Sequence, residues 1–282
     1  MSQTGRPIGL LHPGEMGAAV GKCLTGRGHT VVWASDGRSA ETRARAEAAG
    51  LTDGRTIPAA CGTGLLLSVC PPQGAEDVAL ACRDMDGIYV DANAVSPATA
   101  ERIRWIVEET GGAWHGGRGD YVDGAIIGPP PVQPGTTRLY LSGPRAAEVA
   151  ALFEGSPLEA RVLDGPLTAA SALKMAYAGW TKGSAALLVA MRDAALALGV
   201  QDDLLAEWAL SQPGLATQAD RSAQAAAAKG WRWESEMREI AATLAATGLP
   251  AGFHQAAAEM FSRNPRPARR RLAPLQRPAA SG

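Results

Sequence analysis

Short apolar runs alternate with amphipathic stretches through the first 164 residues of the chain. The apolar runs are rich in leucine and β-branched residues and predict strands at 8–11, 30–34, 65–69, 88–91, 121–127, 137–141 and 161–163. The amphipathic stretches repeat their apolar positions with a helical period and predict helices at 15–26, 39–50, 74–85 and 97–110. This regular alternation indicates a mostly parallel sheet with right-handed crossovers, which is a doubly wound, Rossmann-type α/β fold.

The strand pattern stops after residue 165, and helical periodicity replaces it. Helices are predicted at about 166–198, 201–211, 213–228, 232–247 and 250–263, separated by glycine or proline. We therefore predict an α/β nucleotide-binding domain over residues 1–165 and an all-helical domain for substrate binding and dimerisation over 166–263. Residues 264–282 are rich in proline and arginine and predict a disordered tail.

Composition narrows the class of protein without naming a reaction. The 282 residues are 46% apolar and 20% charged, and their net charge of −1 favours neither nucleic acid nor an anionic membrane as partner. Charged residues interrupt the longest apolar run, at 167–198, so it predicts a buried helix and not a membrane span. Four cysteines without a CxxC pair, behind an N-terminus unlike a signal peptide, predict a cytoplasmic protein with reduced thiols. His115 and His254 lack partners at metal-binding spacing, so no metal is predicted.

The first strand runs directly into the sequence HPGEMG and then a helix. Gly14 and Gly17 match the last two glycines of a GxGxxG fingerprint, while His12 occupies the first position. A dinucleotide diphosphate would lie on the N-terminus of the helix, where free N–H groups and the helix dipole favour an anion. The predicted loop consists of His12, Pro13, Gly14, Glu15, Met16 and Gly17; a plain strand–helix turn is the alternative.

The end of the second strand carries the predicted choice of cofactor. Ser35, Arg38 and Ser39 form a hydroxyl–guanidinium–hydroxyl group suited to a 2′-phosphate, which predicts NADP(H). Asp36 lies among them and would suit a ribose hydroxyl, so NAD stays possible.

Five motifs between residues 8 and 262 carry a resemblance to a known family: GLLHPGEMG, SVCPP, DANAVSP, DGAIIGP and ASALKMAYA. Together they resemble the β-hydroxyacid dehydrogenase superfamily, which includes 6-phosphogluconate dehydrogenase and the imine reductases. The chain looks most like 6-phosphogluconate-dehydrogenase-like proteins with a divergent C-terminal domain. The resemblance implies a dehydrogenase or reductase whose helical domain forms a homodimer.

The resemblance also implies roles for particular residues. Val69, Cys70 and Pro71 would flank the nicotinamide ribose, while Asn93 and Ser96 would line the cleft for cofactor and substrate. Lys174 would act on the substrate oxygen. The family's polar carboxylate anchors are replaced by Ile127 and Gly128, which would contact the substrate, and its asparagine after the lysine is replaced by Ala178. These departures leave the substrate class open.

Two of the four lysines in the chain, Lys174 and Lys182, lie on one apolar predicted helix. Lys174, Tyr177 and Thr181 share a face of it, and Lys182 lies about a quarter-turn away. Burial lowers the pKa of an ammonium, which then exchanges protons near neutral pH, whereas arginine cannot. We therefore predict Lys174 as the general acid/base, Tyr177 as either a second proton donor or a core residue, and Thr181 as a substrate contact. Lys182 would point outward or pair with a carboxylate.

The sequence as a whole predicts an NADP(H)-dependent oxidoreductase that acts on a carbonyl/alcohol pair of a small molecule. Reduction of a C=N bond is one alternative. A nucleotide-binding regulator without catalytic activity is the other.

Overall fold

Eight strands form one sheet in the computed structural model, which describes residues 7–109 and 119–264. The strands are β1 (Ile8–Leu11), β2 (Val31–Trp33), β3 (Thr52–Asp53), β4 (Leu65–Ser68), β5 (Gly87–Asp91), β6 (Gly119–Ile127), β7 (Thr137–Ser142) and β8 (Leu158–Val162). Their order is β3-β2-β1-β4-β5-β6-β7-β8. The strands from β3 to β6 run parallel, β7 is antiparallel to β6, and β8 is parallel to β7. The first six follow the doubly wound dinucleotide-binding order, which confirms the predicted fold.

Ten α-helices lie within the described residues: α1 (Glu15–Gly26), α2 (Ala40–Ala48), α3 (Ile57–Cys61), α4 (Ala75–Ala81), α5 (Pro97–Glu109), α6 (Ala146–Ala151), α7 (Ala169–Ala197), α8 (Gln201–Ser211), α9 (Leu215–Ala246) and α10 (Gly252–Ser262). The change from strands to helices falls between β8 and α7, near the predicted position. His115 and the predicted tail from residue 265 onward lie outside the described residues.

The predicted break between two helices at 228–232 is wrong, because α9 is one helix of 32 residues. Gly230 lies buried inside it, and a Cβ there would come within 2.7 Å of the Asn264 side-chain nitrogen. This glycine permits close packing and does not end the helix. The sequence also missed β3, α3 and α6, which are short; both residues of β3 are exposed, so no apolar run marks it.

Apolar side chains cover both faces of the sheet, as a parallel sheet requires. One cluster joins the strands to α1 and α6, and a second joins them to α3, α4 and α5. A third cluster, around Met175, Met237 and Phe261, holds α7, α9 and α10 together. Each of these three side chains is at most 1% exposed.

The carboxyl ends of β1, β2, β4 and β5 meet at one edge of the sheet, and the strand order reverses between β1 and β4. Such a switch point opens the crevice in which doubly wound folds bind ligands. Helix α7 packs against β6 and β7, and α9 reaches the short 3₁₀ turn Pro72–Gly74 that follows β4. The helical region therefore borders the crevice. None of the described helices is long and apolar enough to cross a membrane.

Candidate functional site

The loop between β1 and α1 folds around the carbonyl group of His12. His12 has a φ of 63°, the left-handed conformation that the first glycine of a GxGxxG loop usually supplies. The N–H of Gly14 donates to the His12 carbonyl oxygen over 2.7 Å. A Cβ at Gly17 would lie 2.4 Å from that same oxygen. Gly17 is therefore required for the close approach of α1 to this loop.

The N-terminus of α1 is open to a ligand. Gly14 is the N-cap residue, and no side chain caps the helix there. A Cβ at Gly14 would meet nothing closer than the His12 oxygen at 3.9 Å, so the space above this backbone is free. Uncapped N–H groups beside open space form an anion site, which fits the diphosphate of a dinucleotide.

Arg38 approaches the same crevice from the β2 side. Burial, followed by the positive charge of Arg38, lowers the pKa of His12 to about 4, so the imidazole is neutral. The Nδ1 atom of His12 and the Nε atom of Arg38 are both buried and have no hydrogen-bond partner among the described residues. Two unsatisfied polar atoms in a crevice indicate that a polar ligand belongs there. Arg38 thus fits its predicted part in phosphate binding.

Ser35 and Ser39, which were predicted to bind the 2′-phosphate together with Arg38, have different surroundings. Ser35 is 1% exposed, and its hydroxyl bonds to the Asp53 carboxylate, whose pKa this contact lowers. The Ser35 hydroxyl therefore already has a partner in this structure, and its contact with a phosphate stays a prediction. Ser39 caps α2 by accepting from the Thr42 N–H over 3.3 Å. Asp36 is exposed and lies 3.9 Å from Arg55.

Asn93 links the ends of β4 and β5. Its Oδ1 atom accepts from the N–H of Cys70, and its Nδ2 atom donates to the Ser68 hydroxyl over 3.1 Å. Only 3% of Asn93 is exposed, so its side chain shapes the Val69–Pro71 loop, and Pro71 is exposed at the tip of that loop. Burial, followed by the nearby charge of Asp91, raises the pKa of Cys70 to about 12. Direct contact of Asn93 with cofactor or substrate stays a prediction.

Ser96 is held between the sheet and the helical region. Its hydroxyl accepts from the Thr99 N–H in the first turn of α5. Its own N–H donates to the Oε2 atom of Glu239 over 2.7 Å, and the Thr99 hydroxyl donates to the same oxygen over 2.8 Å. One carboxylate from α9 therefore caps α5, as the helix dipole favours. Glu239 was not predicted from the sequence.

Lys174 faces the end of β6. Its Nζ atom donates to the carbonyl oxygen of Ile126 over 2.7 Å, while part of its side chain remains accessible to solvent. One turn earlier, the N–H and hydroxyl of Ser171 both donate to the carboxylate of Asp123, also on β6. Burial lowers the pKa of Lys174 to about 8. This is the direction expected for a buried ammonium, and a catalytic role for Lys174 stays a prediction.

The remaining predicted residues on α7 and β6 differ in exposure. Tyr177 is 47% exposed and Thr181 is exposed too, so both lie toward solvent. Ile127 is only 3% exposed. Gly128 has a φ of 130°, and a Cβ there would lie 2.4 Å from the Thr136 carbonyl oxygen, so this glycine is required by the turn. Roles in substrate contact stay predictions for all four.

Lys182 pairs with a carboxylate, which is one of the two alternatives that the sequence left open. Its Nζ atom contacts the Glu236 carboxylate, and their side chains are 19% and 16% exposed. The ammonium also lies 5.6 Å from the centre of the Trp233 ring. Burial, followed by the charge of Lys174, lowers the pKa of Lys182.

The structure adds a charged face on α9 that the sequence analysis missed. Lys229, Arg232, Glu236 and Glu239 follow the spacing i, i+3, i+7 and i+10, and we call them the charged face of α9. Lys229 and Arg232 lie 3.6 and 3.5 Å from the Glu15 carboxylate at the start of α1. The spacing would have revealed this face if the helix had been predicted as continuous.

Two buried carboxylates lie below the site. Asp91 and Asp123 are register partners on β5 and β6, and both are 0% exposed. Burial, followed by the charge of Asp123, raises the pKa of Asp91 to about 7. Burial raises the pKa of Asp123 to about 6.

No cluster of three or more histidine, cysteine or acidic side chains is arranged to hold a metal in the described part of the chain. His254 instead has its Nε2 atom 2.9 Å from the Gly179 carbonyl oxygen, where it joins α10 to α7.

Comparison of the sequence with known proteins matches parts of the chain. Residues 195–264 match the family described as domain of unknown function DUF1932. An uncharacterised 28.5 kDa protein of Methanothermus fervidus, from the 5′ region of 7S RNA, is 34% identical over 143 residues. That match covers 50% of this chain and 51% of the relative, so it spans about half the relative's length.

Solved structures resemble the chain over most of its length. The conserved protein MTH1747, of unknown function and described as structurally similar to 3-hydroxyacid dehydrogenases, is 28% identical. The similarity covers 90% of this chain and 95% of that one, with a TM-score of 0.67. A reductive aminase from Aspergillus terreus, in complex with NADPH and ethyl levulinate, is 18% identical over 92% of this chain and 93% of that one, with a TM-score of 0.55. These similarities show that the chain has the fold of the 3-hydroxyacid dehydrogenase-like proteins, as its motifs predicted, with a DUF1932 domain in its helical region.

Proposed function

We propose that the protein is an NADP(H)-dependent oxidoreductase that converts a small carbonyl compound and its alcohol into each other. The observation that carries the proposal is the position of Lys174 beside the crevice, with a pKa lowered to about 8. The open N-terminus of α1 and the unpartnered Arg38 Nε atom support binding of a phosphorylated dinucleotide. The complex of the reductive aminase with NADPH shows that this fold holds such a cofactor in a relative.

In this proposal each residue of the site has a separate role. The backbone of Gly14–Gly17 holds the diphosphate, and Arg38 holds the 2′-phosphate. When bound, the cofactor supplies or accepts the hydride. Lys174 gives a proton to the substrate oxygen during reduction and removes it during oxidation. Asp123 and Ser171 fix the first turn of α7, so that the ammonium stays at the end of β6.

A direct test is oxidation of NADPH, followed by absorbance, against a panel of aldehydes, ketones, hydroxy acids and cyclic imines. Turnover of an aldehyde or ketone supports the proposal. If the protein binds NADPH but turns over no member of the panel, a regulator without catalytic activity is the better description.

Reduction of a C=N bond is the second candidate. It is favoured by the end of β6, where Ile127, Gly128 and Pro129 offer no side chain that could anchor a carboxylate. The ammonium of Lys174 acts against it, because a cation beside a forming iminium is unfavourable. Turnover of cyclic imines without turnover of carbonyl compounds would select this candidate.

The working unit in this proposal is a homodimer built through α7. Trp180, Leu187 and Met191 follow one stripe of that helix at i, i+7 and i+11, and they are 75%, 60% and 46% exposed. A stripe of large apolar side chains on a helix surface is typical of an interface, and a second copy of α7 matches it in length and character.

A further inference from the structure

We propose that Lys229 and Arg232 of α9 form a second diphosphate-binding element, which completes the dinucleotide site from the side of the helical region. This inference rests on the proposed function, because it assigns residues to the same cofactor. It adds side-chain cations to a site that the sequence motifs had built from backbone groups alone.

The first argument is position. Glu15 is the first residue of α1 and directly follows Gly14, at the helix end where the diphosphate belongs. Lys229 Nζ lies 3.6 Å from Glu15 Oε1, and Arg232 Nη1 lies 3.5 Å from Glu15 Oε2. Both cations therefore lie at the N-terminal end of α1, on the side of the Glu15 carboxylate. Helix α9 also packs against the turn after β4, on the other side of the crevice.

The second argument is incomplete pairing. A charge-assisted N–H···O bond to a carboxylate is typically about 2.7–2.9 Å long, so contacts of 3.5 and 3.6 Å leave the donors of both cations largely unused. Two positive charges also face one negative charge, which leaves an excess of one positive charge at this helix end. A diphosphate with two negative charges would use these donors and reverse the imbalance.

The third argument is preorganisation. The Arg232 guanidinium lies 5.0 Å from the centre of the Trp231 ring, which limits its freedom of rotation. The side chains of Glu15, Lys229 and Arg232 are 50%, 51% and 52% exposed, so a ligand can reach them. In this arrangement Glu15 holds the two cations in place until the diphosphate binds.

The test is isothermal titration of the full-length protein with NADPH and NADH, at low and at moderate salt. Lys229→Met and Arg232→Met keep the apolar stems and remove the charges. We expect the double variant to lose about tenfold or more in affinity for both dinucleotides, because both carry the diphosphate, and to show a weaker salt dependence. Glu15→Gln should raise the affinity several-fold, because it removes the competing negative charge. Arg221→Met, about two turns earlier on α9, is the matched control and should leave the affinity unchanged.

A purely structural role for these ion pairs makes the opposite prediction. In that case Glu15→Gln and the two cation variants lower the thermal stability together, and none changes dinucleotide affinity by more than about twofold. That result overturns this inference while wild-type binding of NADPH leaves the proposed function standing. A wild-type protein that binds neither dinucleotide would overturn both.

Discussion

The ammonium of Lys174 donates to the Ile126 carbonyl oxygen over 2.7 Å, while Ser171, three residues earlier on α7, bonds to Asp123, three residues earlier on β6. Helix and strand are thus joined at two points with matched spacing. This double attachment fixes both the rotation and the height of α7 against the sheet. Because the helix cannot turn freely, the backbone of Lys174 has a fixed position at the end of β6, and the bond to Ile126 holds the ammonium there.

Replacement of Lys174 should remove proton transfer and leave cofactor binding intact. We expect Lys174→Met to lower kcat/KM by about 10²–10⁴-fold, the usual value of general acid–base assistance, with little change in the dissociation constant of NADPH. The control is Lys182→Met combined with Glu236→Gln, because Lys182→Met alone would leave a largely buried carboxylate without its partner. A Lys174→Met enzyme within a few-fold of wild type would contradict the assigned role.

The pH dependence should differ between the two reaction directions. Reduction needs the protonated amine, so kcat/KM should be level at low pH and fall as pH rises through about 8, the pKa of Lys174. Oxidation needs the neutral amine and should rise through the same range. Lys174→Arg keeps a hydrogen-bond donor but cannot titrate near neutral pH. In this variant kcat/KM should therefore not change with pH near 8 in either direction. Identical pH profiles of kcat/KM in wild type and Lys174→Arg would assign the titration to another group.

Arg38 should select for the 2′-phosphate. We expect Arg38→Ala to weaken NADPH binding by about tenfold or more and to leave NADH binding within about twofold, because only NADPH carries this phosphate. Thermal shifts with each dinucleotide at matched concentrations measure the difference. Arg83→Ala is the matched control, since Arg83 is exposed in the connection from α4 to β5, at the opposite edge of the sheet, and should not affect the preference. Equal stabilisation of the wild type by NADH and NADPH would contradict the choice of cofactor.

The apolar stripe on α7 should control assembly. We expect sedimentation to show a dimer at micromolar concentration, and Leu187→Glu combined with Met191→Glu to convert it to a monomer, because charges would then face the second copy. Leu210→Glu on α8 is the control, since Leu210 is 82% exposed and lies off the stripe. A wild-type monomer would show that this stripe serves another purpose.

Asp91 should make the fold less stable as pH rises. Its pKa is about 7 in the folded state and about 3.9 in an unfolded chain, so the folded state holds a proton that the unfolded state releases between these values. The free energy of unfolding therefore falls as pH rises from about 4 to 7. Asp91→Asn cannot ionise and should be more stable than wild type at pH 8, with an upper bound of about 4 kcal/mol, which is about three pKa units at about 1.4 kcal/mol each.

Denaturant unfolding at pH 5 and pH 8 measures this difference, which should shrink at the lower pH. Asp86→Asn is the control, because Asp86 is exposed and its replacement should produce no such gap. A variant that is less stable than wild type at pH 8 would mean that the ionised form of Asp91 supports the fold.

The elements that were predicted correctly are those marked by a pattern of apolar residues. The features that were missed depend on contacts between distant segments of the chain. The long strands and the main helices were found because buried parallel strands carry continuous apolar runs. Lys174 was singled out mainly by its match to a family motif and also because an ammonium in an apolar helix is unusual, and its role stays a prediction. The bond between the Ser35 hydroxyl and Asp53 was missed because Asp53 lies on β3, a strand of two exposed residues that leaves no sequence signal. The charged face of α9 was missed because Gly230 was taken for a helix end, although Asn264 packs against it.

Helix α9 touches the N-terminus of α1 through Lys229 and Arg232, and that of α5 through Glu239. Ten residues of α-helix separate Lys229 from Glu239, which corresponds to about 15 Å at 1.5 Å per residue. A continuous helix does not change its length, so α9 sets a fixed distance between its contacts with the N-termini of α1 and α5. Insertion of a single residue between Arg232 and Glu236 would turn Glu239 by about 100° and move it by about 1.5 Å, away from its partners on α5. The length of α9 can therefore change only by nearly whole turns. Any such change also requires a matching change in the distance between the N-termini of α1 and α5.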